Sequence, residues 1–317
     1  MKKISVLIPC YNEEENVEAI STAVIDVLQK ECSQYDYEIV FIDNCSTDKT
    51  RGIIRDICEH NKKVKAIFNA KNFGQFNSPV YGMLQVTGDC VIPIVSDFQD
   101  PVDMIPQFIR EWENGYKIVI GVKTNSEENR FVYWLRSCYY RFIKKFSEVE
   151  QIEHFTGFGL YDRAFIEVVR QLDDPKPFFR GIVAELGFER KELPYEQPKR
   201  KAGKTKNNWY SLYDAAMLSI TSYTKIGLRL CTLFGFIFGV ISAMLGVAYL
   251  IYKLIYWESF IAGMAPVAIG MFLLGSVQLI FIGMLGEYII SINQRVMKRP
   301  LVVEDERINF KKNLEHD

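Results

Sequence analysis

The sequence predicts an α/β domain built on a mostly parallel sheet, followed by two long apolar helices. Three observations predict it. Over the first two-thirds, short and almost wholly apolar runs alternate with amphipathic stretches; turn-forming residues follow each run; and the composition changes abruptly after residue 225. Short apolar runs bounded by turn signals suit strands covered on both faces. Their alternation with helices implies right-handed crossovers.

The strands are expected at 4–8, 37–42, 64–68, 90–95 and 117–121, with helices at 14–30, 48–61, 77–86 and 102–114. Met1-Lys2-Lys3 ahead of the first run could mimic a signal peptide. Pro9 and Asn12-Glu13-Glu14-Glu15 cut that run short and no small-residue cleavage site follows, so it reads as a buried first strand and the domain as cytosolic. Ser46-Thr47-Asp48 is a helix-start signal, and Pro101 sits where a first helical turn tolerates proline. In such a sheet, ligands bind beyond the carboxyl ends of the strands.

Residues 230–252 carry no charge. As a helix they extend about 34 Å, enough for roughly 30 Å of hydrocarbon. A second apolar stretch covers 261–285, uncharged until Glu287. A buried core hairpin is the alternative to two membrane spans. Lys225 and Arg229 precede the first stretch, and Arg295, Lys298 and Arg299 follow the second. The connection holds only Lys253 and Glu258 among charged residues, so the positive-inside bias places both termini in the cytosol of an inner membrane. Residues 130–146 and 208–224, rich in aromatics and the first also in basic residues, read as interfacial segments touching membrane lipids. The expected organisation is a catalytic domain at 1–205, a juxtamembrane segment at 206–228, a transmembrane hairpin at 229–290 and a cytosolic tail at 291–317.

With 38 basic and 39 acidic residues, the formal net charge of −1 argues against a nucleic-acid partner. Seven scattered cysteines without a CxxC pair fit neither a zinc site nor a disulfide framework, and suit a reducing compartment.

Three strand-end loops hold the acids: Pro9-Cys10-Tyr11-Asn12-Glu13, Asp43-Asn44-Cys45-Ser46-Thr47-Asp48 and Ser96-Asp97-Phe98-Gln99-Asp100-Pro101. A parallel sheet converges Glu13, Asp43, Asp97 and Asp100 on one crevice. Carboxylates there can bind a nucleoside, hold a divalent metal or act as a base. Ordinary helix capping is the alternative, and for Asp48 the preferred one.

The runs SVLIPCYNEEENV, EIVFIDNCSTDKT and SDFQDP, in this order and spacing, resemble the family-2 glycosyltransferases of GT-A fold, a Rossmann-like α/β class. RKAGKTKNNWYSL before the first apolar stretch, GEYI at 286–289 and Arg299-Pro300 narrow the resemblance to polyprenyl-phosphate glycosyltransferases, over essentially the whole chain. The resemblance implies a nucleotide-sugar donor, with uracil the base expected of bacterial members, and undecaprenyl phosphate as acceptor. It implies that Pro9, Tyr11, Glu13, Asp43 and Asn72 hold the nucleotide, and that Asp97, Gln99 and Asp100 are catalytic, Asp97 binding Mg²⁺ or Mn²⁺. Lys123, Arg130, Arg136, Arg200, Lys204 and Lys206 would meet the phosphates, although juxtamembrane charge alone also accounts for the last three. Thr156 and Gly157 would read the sugar. Inverting displacement is the family expectation.

The chain departs from that pattern in several places. Val95 stands at the first acid of the DxD element, Asn44 at a second Asp and Lys123 at an Arg. Gly157 and Gly159 stand where relatives read Asp and Arg, which suggests room for a bulkier sugar. Transfer to another lipid-linked acceptor, and a non-catalytic donor- or lipid-binding module that scaffolds a flippase, stay open as rival readings. So do a homo-oligomer and a flippase partner. The QxxRW element of processive synthases is absent.

Overall fold

The computed structural model describes residues 1–124, 152–198, 217–218, 226–255, 264–297 and 299–310. Its centre is an eight-stranded sheet: β1 (Lys3–Cys10), β2 (Asp36–Asp43), β3 (Val64–Asn69), β4 (Cys90–Pro93), β5 (Ile118–Lys123), β6 (Phe155–Asp162), β7 (Arg190–Tyr195) and β8 (Glu304–Ile308). The strand order is β7-β5-β6-β4-β1-β2-β3-β8. The ladders β4-β1-β2-β3 are parallel, as the apolar runs predict. Beyond β4 the sheet turns mixed: β6 runs antiparallel to both β4 and β5, and β7 is parallel to β5. After β1, β2 and β3 are laid down to one side, the chain crosses back to place β4 on the other side of β1. That reversal makes the β1/β4 boundary the switch point where a crevice opens.

Helices cover both faces because alternate strand residues point to opposite sides. Ile4, Val6 and Ile8 of β1 pack with α1 (Val17–Glu31), α2 (Thr50–His60) and α4 (Ile105–Glu113), which bury Ile20, Ile54 and Phe108. Leu7 faces the other way, toward α3 (Gly74–Gln85), α5 (Arg163–Leu172) and α6 (Phe179–Glu185), through Met83, Phe165 and Ile182. Two differences from expectation have plain causes. The α3 helix starts at Gly74, so Pro79 lies inside it and not in its first turn. Residues 102–104 form a 3₁₀ turn, with α4 proper beginning at Ile105 and Pro106 in its first turn.

At the amino-terminal edge of the strands, Glu38 is a buried hub. It accepts hydrogen bonds from Lys3 Nζ at 2.9 Å, Lys65 Nζ at 2.5 Å, Ser5 Oγ at 2.7 Å and the Thr87 amide at 2.6 Å. Burial alone would push its carboxyl up, but Lys65, Ser5, Thr87 and Lys3 together bring it down to about 2.

Two long helices follow the domain, α7 (Ile226–Ile255) and α8 (Met264–Val296), in contact through Phe234 stacked near Phe281. Among the described residues, one stretch, Val277–Gln294, is apolar and long enough to cross a membrane by length and composition. The interfacial segments expected at 130–146 and 208–224 lie, but for Met217 and Leu218, outside the described residues. Residues 304–308, within the expected tail, instead form β8 and extend the sheet antiparallel to β3.

Candidate active site

The first half of the site grows from the ends of β1 and β2. Both strands run straight into loops whose turns use left-handed residues, Asn12 at φ 54° and Cys45 at φ 64°. The loops are zipped together. The Asn12 amide donates to Ser46 Oγ at 2.8 Å, the Glu13 amide to Thr50 Oγ1 at 2.8 Å, and the Thr47 amide to Asn12 Oδ1 at 2.7 Å. Asp48, one position ahead of the N-cap Lys49, accepts from the amides of Thr50 and Glu14 and so ties the start of α2 to the first loop. Burial works against its ionisation, yet the Thr50 and Glu14 hydrogen bonds hold it below the ordinary range.

Asp43 ends β2 and is fully buried. Its Oδ2 accepts from the Ser46 amide at 3.0 Å and from Arg51 Nε at 2.8 Å. Its Oδ1 is buried and accepts no hydrogen bond among the described residues. An orphaned carboxylate oxygen is costly unless a ligand supplies a donor. Asn44 explains itself by the same accounting. Its Nδ2 donates to Asn72 Oδ1 at 2.9 Å, and its Oδ1 accepts from Asn69 Nδ2 and the Phe73 amide. An aspartate has no N–H to donate to Asn72, so the amide is what clamps the 69–74 loop. Asn72 therefore shapes the loop through its own Oδ1, which also accepts from the Gly74 amide at 2.8 Å.

The second half grows from β4. Asp97 and Asp100 are both buried at 5% exposure, while Val95 is 40% exposed beside them. Phe98 adopts φ 63°, a conformation that costs a bulky residue about 1–2 kcal/mol and that recurs at functional loops. The Asp97 carboxylate accepts from the Gln99 amide at 3.1 Å. Asp100 Oδ2 accepts from the Val95 amide at 3.2 Å, and its Oδ1 faces the Tyr195 hydroxyl at 3.5 Å. Burial pushes the Asp100 carboxyl up to about 7, against the opposing pull of the Val95 amide and Lys123. Because β6 runs antiparallel to β4 and β5, its start reaches this same edge. Thr156 is the second residue of β6, and Lys123 donates to Gln197 Oε1 at 2.7 Å.

The structure thus brings Tyr11, Glu13, Asp43 and Asn72 to one half of a single edge, and Asp97, Gln99, Asp100, Lys123 and Thr156 to the other. Pro9 lies in β1 itself. Arg130, Arg136, Arg200, Lys204 and Lys206 lie outside the described residues. Sequence reasoning missed Arg51 and Tyr195. Arg51 had a signal, a cation eight residues past Asp43 in the first turn of α2; Tyr195 had none.

The two glycines of β6 correct an expectation. A Cβ on Gly159 would lie 2.4 Å from the Val119 carbonyl oxygen and 3.0 Å from Ile120 Cα. Gly159 permits close strand approach and opens no space for a sugar. Gly157 does have open surroundings, but at φ 105° it occupies backbone territory that a side chain disfavours.

The sequence model of Glycosyl transferase family 2 matches residues 5–170. The chain belongs to this family. It is 32% identical over 299 residues to the bactoprenol glucosyl transferase of Shigella phage SfX, covering 94% of this chain and 97% of that one. It is 32% identical over 304 residues to the glycosyltransferase YkoT of Bacillus subtilis, covering 94% and 89%. Among solved structures, the mannosyltransferase PcManGT of Pyrobaculum calidifontis in complex with GDP-Man and Mn²⁺ matches with TM-score 0.47 and 16% identity, over 69% of this chain and 62% of that one.

For a family-2 glycosyltransferase the donor set at the edge matters most. Among the described residues no three His, Cys, Asp or Glu side chains converge on one point. Asp97 and Asp100 are the acids of this half, Asp97 accepting from the Gln99 amide and Asp100 from the Val95 amide. This set fits a hard divalent cation that takes most of its ligands from a diphosphate and water, as Mg²⁺ does with one or two carboxylates. It does not fit a cage made of protein ligands alone.

Proposed function

We propose that this glycosyltransferase moves a sugar from a UDP-sugar to undecaprenyl phosphate at the cytosolic face of a membrane, giving a lipid-phosphate-linked sugar for cell-envelope glycans. The donor half rests on Asp43, a buried carboxylate with one oxygen pinned by Arg51 and Ser46 and the other without a partner among the described residues. An imide N–H of a base or a ribose hydroxyl satisfies that oxygen. The membrane half rests on α7 and α8, helices of 30 and 33 residues that expose Phe236 at 72%, Met271 at 71% and Leu279 at 71%. Apolar surface of that extent marks a membrane or protein contact. The likeness to the phage bactoprenol glucosyl transferase supports a bactoprenol-type acceptor.

In this reading a phosphate oxygen of the acceptor attacks the anomeric carbon, and the bond from that carbon to the UDP oxygen breaks with its electron pair leaving on UDP. The nucleophile is already anionic, so no proton has to be removed. Catalysis then lies in positioning and charge stabilisation. Asp97 would hold Mg²⁺ or Mn²⁺, which supplies neutralisation of the departing diphosphate. Lys123, with Arg130, Arg136, Arg200, Lys204 and Lys206, brings positive charge to the acceptor phosphate. The Lys123–Gln197 hydrogen bond and the Tyr195 hydroxyl facing Asp100 order the same edge.

The test is detergent-solubilised protein with undecaprenyl phosphate and a panel of UDP-sugars, in Mg²⁺, Mn²⁺ or EDTA, read by mass spectrometry of the lipid. One added sugar mass, lost in Asp97→Ala, is the expected result. Nucleotide binding without product from any donor would sink the acceptor assignment.

A further inference from the structure

The segment that leaves α8 returns to the α/β domain and fastens to it at many points. The Ala70 amide donates to the Val303 carbonyl at 3.0 Å, and β8 then pairs with β3 from Glu304 to Ile308. Arg55 meets Glu306 at 2.6 Å, Tyr81 donates to Glu304 at 2.8 Å, and Asn309 Nδ2 donates to the carbonyls of Cys58 and Val64. One of these attachments leads to the donor site. Arg51 donates from Nε to Asp43 Oδ2 at 2.8 Å, from one terminal nitrogen to the Asn69 carbonyl at 2.7 Å, and from the other to Asp305 Oδ2 at 3.3 Å. Its guanidinium also lies over the Phe68 ring, 5.2 Å from the centroid.

We propose that Arg51 is a positioning residue of the donor site and that β8, through Asp305, is the element that sets it. Arg51 is the cation that meets the buried Asp43 carboxylate, so its placement decides which oxygen of Asp43 is spent inside the protein and which remains for the nucleotide. A guanidinium fork suits this because it holds three acceptors in fixed directions, which an ammonium cannot. The strand following the last helix is therefore part of the frame of the nucleotide pocket, although it touches no nucleotide itself. This inference rests on the assignment of Asp43 to the donor.

The experiment uses the full chain in detergent, with UDP as the calorimetric probe and donor KM and kcat from lipid-product formation. Arg51→Met is expected to weaken UDP binding about tenfold, as loss of the partner of a buried carboxylate implies, and Asp305→Asn about threefold, the scale of an exposed ion pair. Donor KM should rise in parallel while kcat stays within about twofold, the pattern of lost ground-state binding. Arg51→Lys should recover part of the affinity, because it restores the charge beside Asp43. Glu306→Gln, which breaks the neighbouring Arg55 contact on the same strand, should bind UDP as the parent does. Weakened binding in Asp43→Asn together with parental binding in both Arg51→Met and Asp305→Asn would overturn the inference and leave the donor assignment standing. Parental binding in Asp43→Asn would remove the donor assignment itself, and the inference with it. Equal losses in Asp305→Asn and Glu306→Gln would also overturn it, since general loosening of the strand would then explain both. Asp305 is exposed, so its variant reports even if Arg51→Met fails to fold.

Discussion

Two buried carboxylates at opposite edges of one sheet meet opposite fates. Glu38, 1% exposed at the amino-terminal edge, is compensated by two lysines, two hydroxyls and an amide, and sits at about 2. Asp100, 5% exposed at the carboxyl-terminal edge, has one amide, a distant tyrosine hydroxyl and Lys123 nearby, and sits at about 7. Burial pushes both in the same direction; only the supply of partners differs. The difference separates an edge built for stability from one built for chemistry. A carboxylate whose needs are met internally has nothing to offer a ligand, whereas the under-supplied edge keeps its binding capacity.

Four measurements can break or sharpen that contrast. The largest effect is expected for Glu38→Gln, which strands two lysines at the stable edge and should cost about 3–5 kcal/mol in chemical denaturation. Turnover per folded molecule should stay near the parental value, and a matching loss of kcat would erase the distinction between the edges. Asp97→Ala is the mirror case. Product formation should fall about 100-fold or more, close to 3 kcal/mol in the barrier, with the melting midpoint nearly unmoved.

Third, the two acids should give pH slopes in different windows, measured without divalent metal. Folded Asp100 keeps its proton where an unfolded aspartate has released it, so stability should fall as pH rises from about 4 to about 7. Asp100→Asn should flatten that slope. Folded Glu38 stays ionised where an unfolded glutamate is protonated, so its contribution is present above about 4.5 and is lost as pH falls toward about 2. The smallest effect is expected for Gly157→Asp, about 1 kcal/mol from the left-handed backbone. If Gly157 borders the sugar, the same variant should change the ranking of UDP-sugars; an unchanged ranking would place the sugar elsewhere.

Much of this contrast was legible beforehand on one side of the molecule only. The strands β1 to β4 are centred on apolar runs, and Asp43 and Asp97 fall at or just beyond the carboxyl ends of those runs, so the runs put both acids on one edge of the sheet. The rest of the sheet writes no such pattern. In β7, RKELPY, three of six residues are charged, and its strand character comes from pairing with β5. The sequence of β8, EDERI, reads as a solvated tail, and what makes it a strand is the waiting edge of β3 with Arg51 and Arg55 beside it. Tyr195 belongs to the site for the same non-local reason: only the mixed half of the sheet carries it to Asp100. Asn44 was visible as a departure from the family pattern, but its role as a loop clamp depends on Asn69, Asn72 and Phe73 arriving from a different strand.

The position of β8 also fixes an order of events during synthesis. β3 is made early, yet its outer neighbour is encoded only after both long helices. Until residues 304–308 leave the ribosome, that edge presents unpaired amides and carbonyls, a template for wrong partners. Cutting the chain ahead of α7 to obtain a tractable fragment leaves the same edge open for good. Such a fragment should self-associate through β3, whereas joining residues 301–310 back by a linker should keep it monomeric.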